Sequence, residues 1–198
     1  MSRALLVIDV QESFRQRPIW ELISDPDIAT KAGRLVEHAR AQGDLVVWVL
    51  HTEPGTGTVF DPERGYVQLL PGLDPRPGEP VLTKSSHNAF TTTALQQLLT
   101  ERGIREVVIS GIRTEQCCET TARLASDLGY RVTFVLDATA TNPIEAPDAP
   151  PGRGNAEILA DPRTLGVDEV MTRTEYVLAG RFATVVRLAD VVGEPAAV

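Results

Sequence analysis

Short runs of aliphatic and β-branched residues alternate along this chain with longer segments of helical period, and this alternation most constrains the fold. Four runs are almost continuously apolar: ALLVIDV (4–10), DLVVWVL (44–50), EVVISG (106–111) and RVTFVLD (131–137). Because they lack the polar alternation of a strand with one solvated face, we expect strands buried on both faces, as in a parallel sheet. Weaker strands are expected at PVLTK (80–84) and VDEVMT (167–172).

Helical periodicity fills most of the intervals between these runs. The predicted helices span 28–41, 92–101, 115–128 and 155–165, with a last one near 182–188. Glycines follow four of the helical stretches, where a residue with positive φ ends a helix: Gly43, Gly103, Gly129 and Gly166. The order of elements predicts a single α/β domain over residues 1–198. It would be doubly wound (Rossmann-like), with three α/β/α layers and a mainly parallel six-stranded sheet of order 3-2-1-4-5-6.

Two segments rich in proline and glycine interrupt this rhythm, at 52–80 and 142–154. Irregular loops of this length either cover a functional site or extend into solvent. We interpret 52–80 as a pocket wall or a subunit contact, because it leaves the carboxyl end of a strand. For 142–154 a plain surface loop is at least as consistent with the sequence.

Charge and cysteine content exclude several classes of protein. The formal net charge of −8 opposes nucleic-acid binding, which normally needs a basic surface. The first apolar run is broken by Asp9 and is too short for a secretory signal or a membrane span. The chain has only two cysteines, adjacent in sequence, so no disulfide framework is expected. We therefore predict a cytoplasmic protein without nucleic-acid or membrane partners.

Residues capable of chemistry follow two strands that the predicted order makes neighbours. Asp9 lies at the end of the first strand, and Cys117 lies shortly after the strand ending at Gly111. In open α/β sheets this is the crevice where ligands bind. Thr114 is a suitable N-cap, which would place Cys117 in the first turn of a helix, where free N–H groups lower a thiol pKa. Cys118 is rotated by about 100° from Cys117, so we expect it to pack in the core.

A cysteine at a helix start is, taken alone, more often structural than catalytic. Three separated motifs change that balance, because together they resemble the isochorismatase-like cysteine hydrolases, which include nicotinamidases, N-carbamoylsarcosine amidase, ureidoacrylate amidohydrolases and isochorismatases. LLVIDVQESF is similar to the family's opening strand with its catalytic aspartate, here Asp9. VLTKSSHNAF is similar to the segment with the catalytic lysine, here Lys84. VVISGIRTEQCCETTARLASDLGYRVTFVLDATAT is similar to the nucleophile segment and places the nucleophile at Cys117.

The resemblance covers nearly the whole chain and implies a mechanism. The Ile112–Arg113 bond would be cis, with the backbone N–H groups of Arg113 and Cys117 forming an oxyanion hole. Asp9 would take the thiol proton beside the positive charge of Lys84, and Cys117 would attack a carbonyl to form a thioester that water hydrolyses. The implied substrate is a small amide, carbamoyl or ureido compound, and the implied assembly is a homodimer or homotetramer. The Arg113 side chain would meet an anionic substrate or reach solvent.

Further pocket residues follow from the same resemblance. Gln11 and Phe14 would line the pocket, although Phe14 fits a core position equally well. His51 follows the second strand, near the point where nicotinamidases begin an Asp-x-His metal motif, and the other histidines are His38 and His87. His87 would border the site or lie in a solvated loop. A zinc or iron centre takes three or four protein ligands, and too few candidates lie near His51. We therefore expect no metal and no cofactor, which argues against nicotinamidase activity.

Two alternatives remain open from the sequence. The first is an isochorismatase-type enzyme that cleaves a vinyl ether; members with that chemistry can dispense with the cysteine, so Cys117 argues against it. The second is a non-catalytic redox protein in which the Cys117–Cys118 pair senses oxidants. Vicinal cysteines fit disulfide geometry poorly in a regular helix, which disfavours this reading.

Overall fold

All the strand pairs of the computed structural model, which describes residues 3–193, are parallel and belong to one six-stranded sheet. The strands are β1 (Arg3–Ile8), β2 (Leu45–His51), β3 (Val81–Lys84), β4 (Glu106–Ile112), β5 (Arg131–Ala140) and β6 (Thr184–Val186). Their order is β3-β2-β1-β4-β5-β6, which confirms the predicted topology. The predicted single domain over 1–198 stays a prediction, and residues 1–2 and 194–198 lie outside the described part of the chain.

Helices connect the strands and cover the sheet. They are α1 (Glu12–Arg15), α2 (Ile28–Ala41), α3 (Leu95–Glu101), α4 (Glu119–Asp127), α5 (Asn155–Ala160), α6 (Val167–Leu178) and α7 (Leu188–Val192). Shorter turns are two 3₁₀ segments, Pro18–Leu22 and Pro62–Arg64, and one π-helical turn, Thr114–Cys118. Within residues 3–193 no helix is both long and apolar enough to cross a bilayer.

Two apolar clusters fill the space on either side of the sheet. Ala4, Leu6 and Ile8 of β1 belong to the cluster that includes residues of α3 and α4, whereas Leu5 and Val7 belong to the cluster that includes residues of α2 and α7. Successive side chains of a strand point to opposite faces, so the unbroken apolar run is needed to bury both. Each fully buried Leu or Val side chain contributes about 1.5–3 kcal/mol.

The sixth strand is not where the sequence predicted it. Residues 167–172 form the first half of α6, in which Val170, Thr174 and Leu178 are buried at helical spacing. The Glu169 carboxylate accepts a hydrogen bond from the Gly166 N–H at 2.7 Å and stabilises the helix start. The strand at this edge is instead Thr184–Val186, where a helix was predicted, and it pairs with β5. Both predictions were wrong because short apolar segments do not distinguish the two periods.

Helices α3 and α5 are shorter than predicted, for local reasons. Residues 92–94 lie outside α3 because the Thr92 hydroxyl accepts the backbone N–H groups of Ser85 and Ser86. Residues 161–165 lie outside α5 because Asp161 precedes a proline and adopts an extended conformation.

The 52–80 segment folds back over the carboxyl end of β1. The Ser13 hydroxyl donates to the carbonyl of Tyr66 at 2.8 Å, and the Leu70 N–H donates to the carbonyl of Val10 at 3.0 Å. The segment therefore lies against the residues that follow β1, which supports its interpretation as a wall beside the ligand-binding edge.

Candidate active site

Three strand ends bring Asp9, Lys84 and Cys117 together. Asp9 follows β1, Lys84 is the last residue of β3, and Cys117 lies in the π-helical turn after β4. The Nζ atom of Lys84 lies 2.8 Å from Oδ2 of Asp9 and 3.4 Å from Sγ of Cys117. Asp9 and Lys84 are fully buried, and Cys117 is 7% exposed. The three residues that the resemblance singles out are thus in mutual contact.

Lys84 reaches this position across the end of the neighbouring strand. β3 is an edge strand, and β2 separates it from β1. In the β2–β3 register, His51 is paired with Lys84, and Nδ1 of the His51 ring lies 3.4 Å from Nζ of Lys84. The carbonyl of Ser86 accepts a further hydrogen bond from Nζ at 3.1 Å. The Lys84 ammonium is therefore contacted by one residue at or just beyond the end of each of β1, β2, β3 and β4. These are Asp9, His51, Ser86 and Cys117.

Gly111 lets β4 pass unusually close to β1 just before the nucleophile turn. Its φ is +142°, and a Cβ at this position would lie 1.9 Å from the carbonyl oxygen of Ile8. No side chain can be accommodated against that backbone. One residue further along the chain, the Ile112–Arg113 peptide bond is cis.

The helix start at Cys117 differs from the predicted one. Thr114 does not cap a regular helix: its hydroxyl is buried and donates to Oγ1 of Thr139 on β5 at 2.8 Å. The turn that contains Cys117 is π-helical, and α4 begins only at Glu119. The prediction of Thr114 as N-cap was wrong, because Thr114 is itself the first residue of the turn and Arg113 occupies the N-cap position.

Burial and the charges of the neighbouring groups set the pKa values of Asp9, Lys84 and Cys117. Burial and the charge of Asp9 raise the pKa of Cys117 to about 12, more than the Lys84 charge lowers it. Burial also raises the pKa of Asp9, against the opposing effect of Lys84. Burial opposes the charge of Lys84, but Asp9 and Cys117 outweigh it and raise the Lys84 pKa. The prediction of a lowered thiol pKa is therefore wrong, since desolvation exceeds any gain at the helix start.

The Asp9 carboxylate is poised to accept a proton. Its Oδ2 atom forms the ion pair with Lys84 at 2.8 Å, which favours the ionised carboxylate, but burial disfavours that charge more strongly and raises the pKa of Asp9. A buried carboxylate binds a proton more tightly than a solvated one where desolvation exceeds such attraction. Asp9 also has a positive φ of 53°, a backbone conformation uncommon outside glycine but tolerated by aspartate.

Comparison with known proteins identifies the family. A family model described as "Isochorismatase domain" matches residues 3–150. The chain belongs to the isochorismatase family. Streptothricin hydrolase from Streptomyces noursei is 38% identical over 145 residues, which cover 73% of this chain and 56% of that protein. Nicotinamidase 3 from Arabidopsis thaliana is 38% identical over 148 residues, covering 70% and 73%. The chain thus spans little more than half of the streptothricin hydrolase.

A solved structure agrees with this assignment over nearly the whole chain. The isochorismatase from Pseudomonas putida KT2440 superposes with a TM-score of 0.81 at 30% identity, covering 96% of this chain and 89% of that one. The protein is therefore a hydrolase of the isochorismatase family, with the fold of that family.

Cys118, the second cysteine of this isochorismatase-family protein, is a core residue. It is fully buried and lies in the same apolar cluster as Ala122 and Ala125. Burial raises its pKa well above the usual value of a thiol. Cys118 is a packing residue, as the sequence suggested.

Gln11 and Phe14 are both buried and are linked to His51, and their role as pocket-lining residues stays a prediction. The Gln11 amide accepts a hydrogen bond from the backbone N–H of His51 at 2.7 Å and donates one to its carbonyl at 3.0 Å, joining the ends of β1 and β2. The Phe14 ring packs edge-on against Phe60 at 5.1 Å, and Phe60 packs edge-on against His51 at 5.5 Å. These contacts fix the surroundings of His51.

Arg113 and His87 differ in how they relate to the site. The Arg113 guanidinium forms an ion pair with Glu115 at 2.9 Å, so its charge is already compensated. His87 is exposed, and within residues 3–193 no hydrogen bond or ion pair joins it to Asp9, Lys84 or Cys117.

Glu53 lies beside the site but was not among the residues predicted from the sequence. Its carboxylate lies 3.4 Å from Nε2 of His51, on the side of the ring opposite Lys84. The available signal was its position two residues beyond the end of β2. His51 and Glu53 supply two possible metal ligands, and no group of three or more His, Cys, Asp or Glu residues that could hold a metal occurs in the described chain. This donor set does not fit a zinc centre, which takes at least three protein ligands.

A separate cavity of about 580 Å³ lies between α2 and residues 71–74. It includes none of the three clustered residues, so its size does not mark the reacting centre. Of Asp9, Lys84 and Cys117, Cys117 alone reaches solvent, with 7% of its surface exposed.

Proposed function

We propose that this hydrolase cleaves a C–N bond in a small amide, carbamoyl or ureido compound through a thioester on Cys117. The observation that supports this most directly is the position of the Lys84 ammonium, in contact with both the Asp9 carboxylate and the Cys117 sulfur. An ammonium at this point stabilises a negative charge on either neighbour.

The first step is proton transfer from the Cys117 thiol to the Asp9 carboxylate. The raised pKa of Asp9 and the pKa of about 12 of Cys117 keep the thiol protonated in the resting site. Transfer moves one negative charge from oxygen to sulfur without changing the total charge of the cluster. Because Lys84 contacts both positions, its attraction is retained throughout the transfer.

The thiolate then attacks the substrate carbonyl. The oxyanion is stabilised by the backbone N–H groups of Arg113 and Cys117. Protonated Asp9 gives its proton to the leaving nitrogen, the C–N bond breaks, and an amine or ammonia departs from the thioester. Asp9 then takes a proton from water as the water attacks the thioester. The acid is released, and Asp9 returns that proton to the Cys117 sulfur, which restores the thiol and the ionised carboxylate. The sum is substrate plus water giving acid plus amine.

The alternatives receive less support from the contacts. A vinyl ether hydrolase has no use for a thiol in contact with the ammonium, as Cys117 is here. A redox role for the cysteine pair needs two accessible thiols, and Cys118 is fully buried in the core.

A substrate screen tests the proposal. Purified protein is incubated with small amides, ureides, carbamoyl compounds, nicotinamide and streptothricin, and release of ammonia or amine is measured. We expect turnover of at least one compound, a mass increase on the Cys117 peptide after rapid acid quench, and loss of at least about 10,000-fold in kcat for Cys117→Ala. Cys118→Val is the matched control and should retain activity. An active Cys117→Ala would overturn the proposal. So would hydrolysis of a vinyl ether added to the screen when no amide, carbamoyl or ureido compound is turned over.

A further inference from the structure

His51 occupies the gap that the Lys84 side chain must cross. β2 lies between the strands that carry Lys84 and Asp9, and His51 is its last residue. One ring nitrogen, Nδ1, lies 3.4 Å from Nζ of Lys84, and the other, Nε2, lies 3.4 Å from Oε1 of Glu53. The imidazole therefore separates a cation from an anion.

The two neighbours determine which nitrogen of His51 carries the proton. An ammonium is a donor only, so the nitrogen facing Lys84 must offer a lone pair. An ionised carboxylate is an acceptor only, so the nitrogen facing Glu53 must carry the hydrogen. Only the neutral ring protonated at Nε2 satisfies both contacts.

The backbone and ring of His51 are held firmly enough for this role. The Gln11 side chain binds the His51 N–H and carbonyl, and Phe60 packs edge-on against the ring. Glu53 is fixed in turn, because its second carboxylate oxygen accepts a hydrogen bond from Thr58 at 2.9 Å. The acceptor at Nδ1 is thus aimed at the ammonium before substrate arrives.

We propose that His51 is a positioning residue, which accepts a hydrogen bond from Lys84 through Nδ1 and so holds the ammonium between Asp9 and Cys117. This inference rests on the proposed function, in which that ammonium stabilises the thiolate. His51 does not touch the reacting atoms; it acts through Lys84. Protonation of its ring removes the acceptor, places a second cation beside Lys84 and releases the lysine from its position.

The charged groups that face His51 agree with a neutral ring at working pH. Lys84 on β3 disfavours the cation, whereas Asp9 after β1 and Glu53 after β2 favour it. Burial is the largest influence and, together with Lys84, it lowers the His51 pKa below its usual value of 6.5. We therefore expect the His51 ring to become protonated, and to release Lys84, only below neutral pH.

The first test needs no substrate. Long-range ¹H–¹⁵N correlation spectra of the full chain report the tautomer and the pKa of each of the three histidines. We expect His51 to be protonated at Nε2 alone near neutral pH and to titrate below 6.5, and Glu53→Leu to shift the ring toward the Nδ1–H form. A wild-type ring protonated at Nδ1, or already cationic near neutral pH, would overturn the proposal.

The second test uses two variants of nearly equal shape. His51→Asn retains an acceptor, because Oδ1 of asparagine lies where Nδ1 of histidine lies, whereas His51→Leu removes it. With the substrate found in the screen, we expect kcat to fall about 10-fold or more for His51→Leu, with KM nearly unchanged, because one hydrogen bond to a charged group is lost. His51→Asn should recover most of the rate and lose the acidic limb that His51 contributes. His38→Asn, on α2, is the control.

The outcomes separate this inference from the proposed function. If no compound in the screen turns over, the proposed function fails while the tautomer measurement still decides the arrangement at His51. If the wild type is active and His51→Leu and His51→Asn are equally impaired, the ring has only a structural role and the inference is overturned. Unchanged kcat in His51→Leu would overturn it equally.

Discussion

At Cys117, nucleophilicity depends on a neighbour rather than on the sulfur itself. Burial and the Asp9 charge hold the thiol pKa at about 12, so hardly any thiolate is present near neutral pH unless Asp9 takes the proton. A protonated, mostly buried thiol resists alkylation and oxidation. The arrangement generates the reactive form only when a carboxylate and an ammonium are both in place.

The pH dependence of activity should reflect the ionisation of Asp9. Its folded pKa is raised above 3.8 by burial, and the mechanism needs the ionised form. Activity is therefore complete above the raised pKa and is lost as pH falls through it, so the acidic limb should lie above 3.8. The measurement is kcat/KM against pH in the His51→Asn background, which removes the histidine titration. An acidic limb at or below 3.8 would contradict it.

Single and double substitutions of the buried Asp9–Lys84 ion pair should differ in their effect on the free energy of unfolding. Asp9→Asn leaves the Lys84 ammonium buried without a counter-charge, and removing one partner of such a pair typically costs about 3–5 kcal/mol of unfolding free energy. Replacing both, as Asp9→Asn with Lys84→Met, should recover much of that stability but none of the activity. Urea unfolding checks the first result and the amide assay the second. A double variant no more stable than Asp9→Asn would show that the charges do not interact.

At the scale of elements, the contact between β1 and β4 controls where the nucleophile lies. Gly111→Ala would place a methyl group 1.9 Å from the Ile8 carbonyl oxygen and force the strands apart. We expect a loss of roughly 2 kcal/mol or more in unfolding free energy, from overpacking and backbone strain, and a large fall in kcat.

Gly103→Ala is the matched control for that prediction. Gly103 also has a positive φ, +64°, but a Cβ there would meet nothing within 4 Å. This variant should lose only about 1 kcal/mol, the cost of the backbone conformation alone, and keep its kcat. Thermal unfolding and the amide assay of both variants make the comparison. Similar losses in the two would mean that the contact between strands is not the cause.

Which elements could be predicted depended on how much of their pattern is local. The apolar runs of β1, β2, β4 and β5 need burial on both faces, so their sequences define them without further context. Thr184–Val186 becomes a strand only because β5 offers it an edge, and 167–172 becomes a helix because α6 continues to Leu178. Whether such a short segment forms a strand or a helix therefore depends on the elements that it packs against.

The same distinction between local sequence patterns and tertiary contacts applies to the candidate site. Asp9, Lys84 and Cys117 carry local motifs, and the structure brings them into contact. The raised thiol pKa and the partnership of His51 with Glu53 depend on desolvation and on side chains from different strands. No local pattern encodes either of these.

The formal net charge of the whole molecule is −8. This charge does not determine whether the protein self-associates or where it is located, and both stay predictions. The homodimer or homotetramer and the cytoplasmic location rest on the resemblance and on cysteine content. Membership of the isochorismatase family is shown independently by residues 3–150.

β3, the strand that supplies the ammonium, is among the least secured parts of this sheet. It has four residues, pairs with β2 alone, and exposes about half of Val81. Local opening of such an edge costs less free energy than global unfolding, so amide protons at 81–84 should exchange sooner than those of β1 and β4. At denaturant concentrations that leave the far-ultraviolet circular dichroism intact, catalysis should already be failing; coincident midpoints would contradict this. Inactivation of this hydrolase would then begin as the detachment of one short peripheral segment, reversible on dilution, long before the molecule as a whole comes apart.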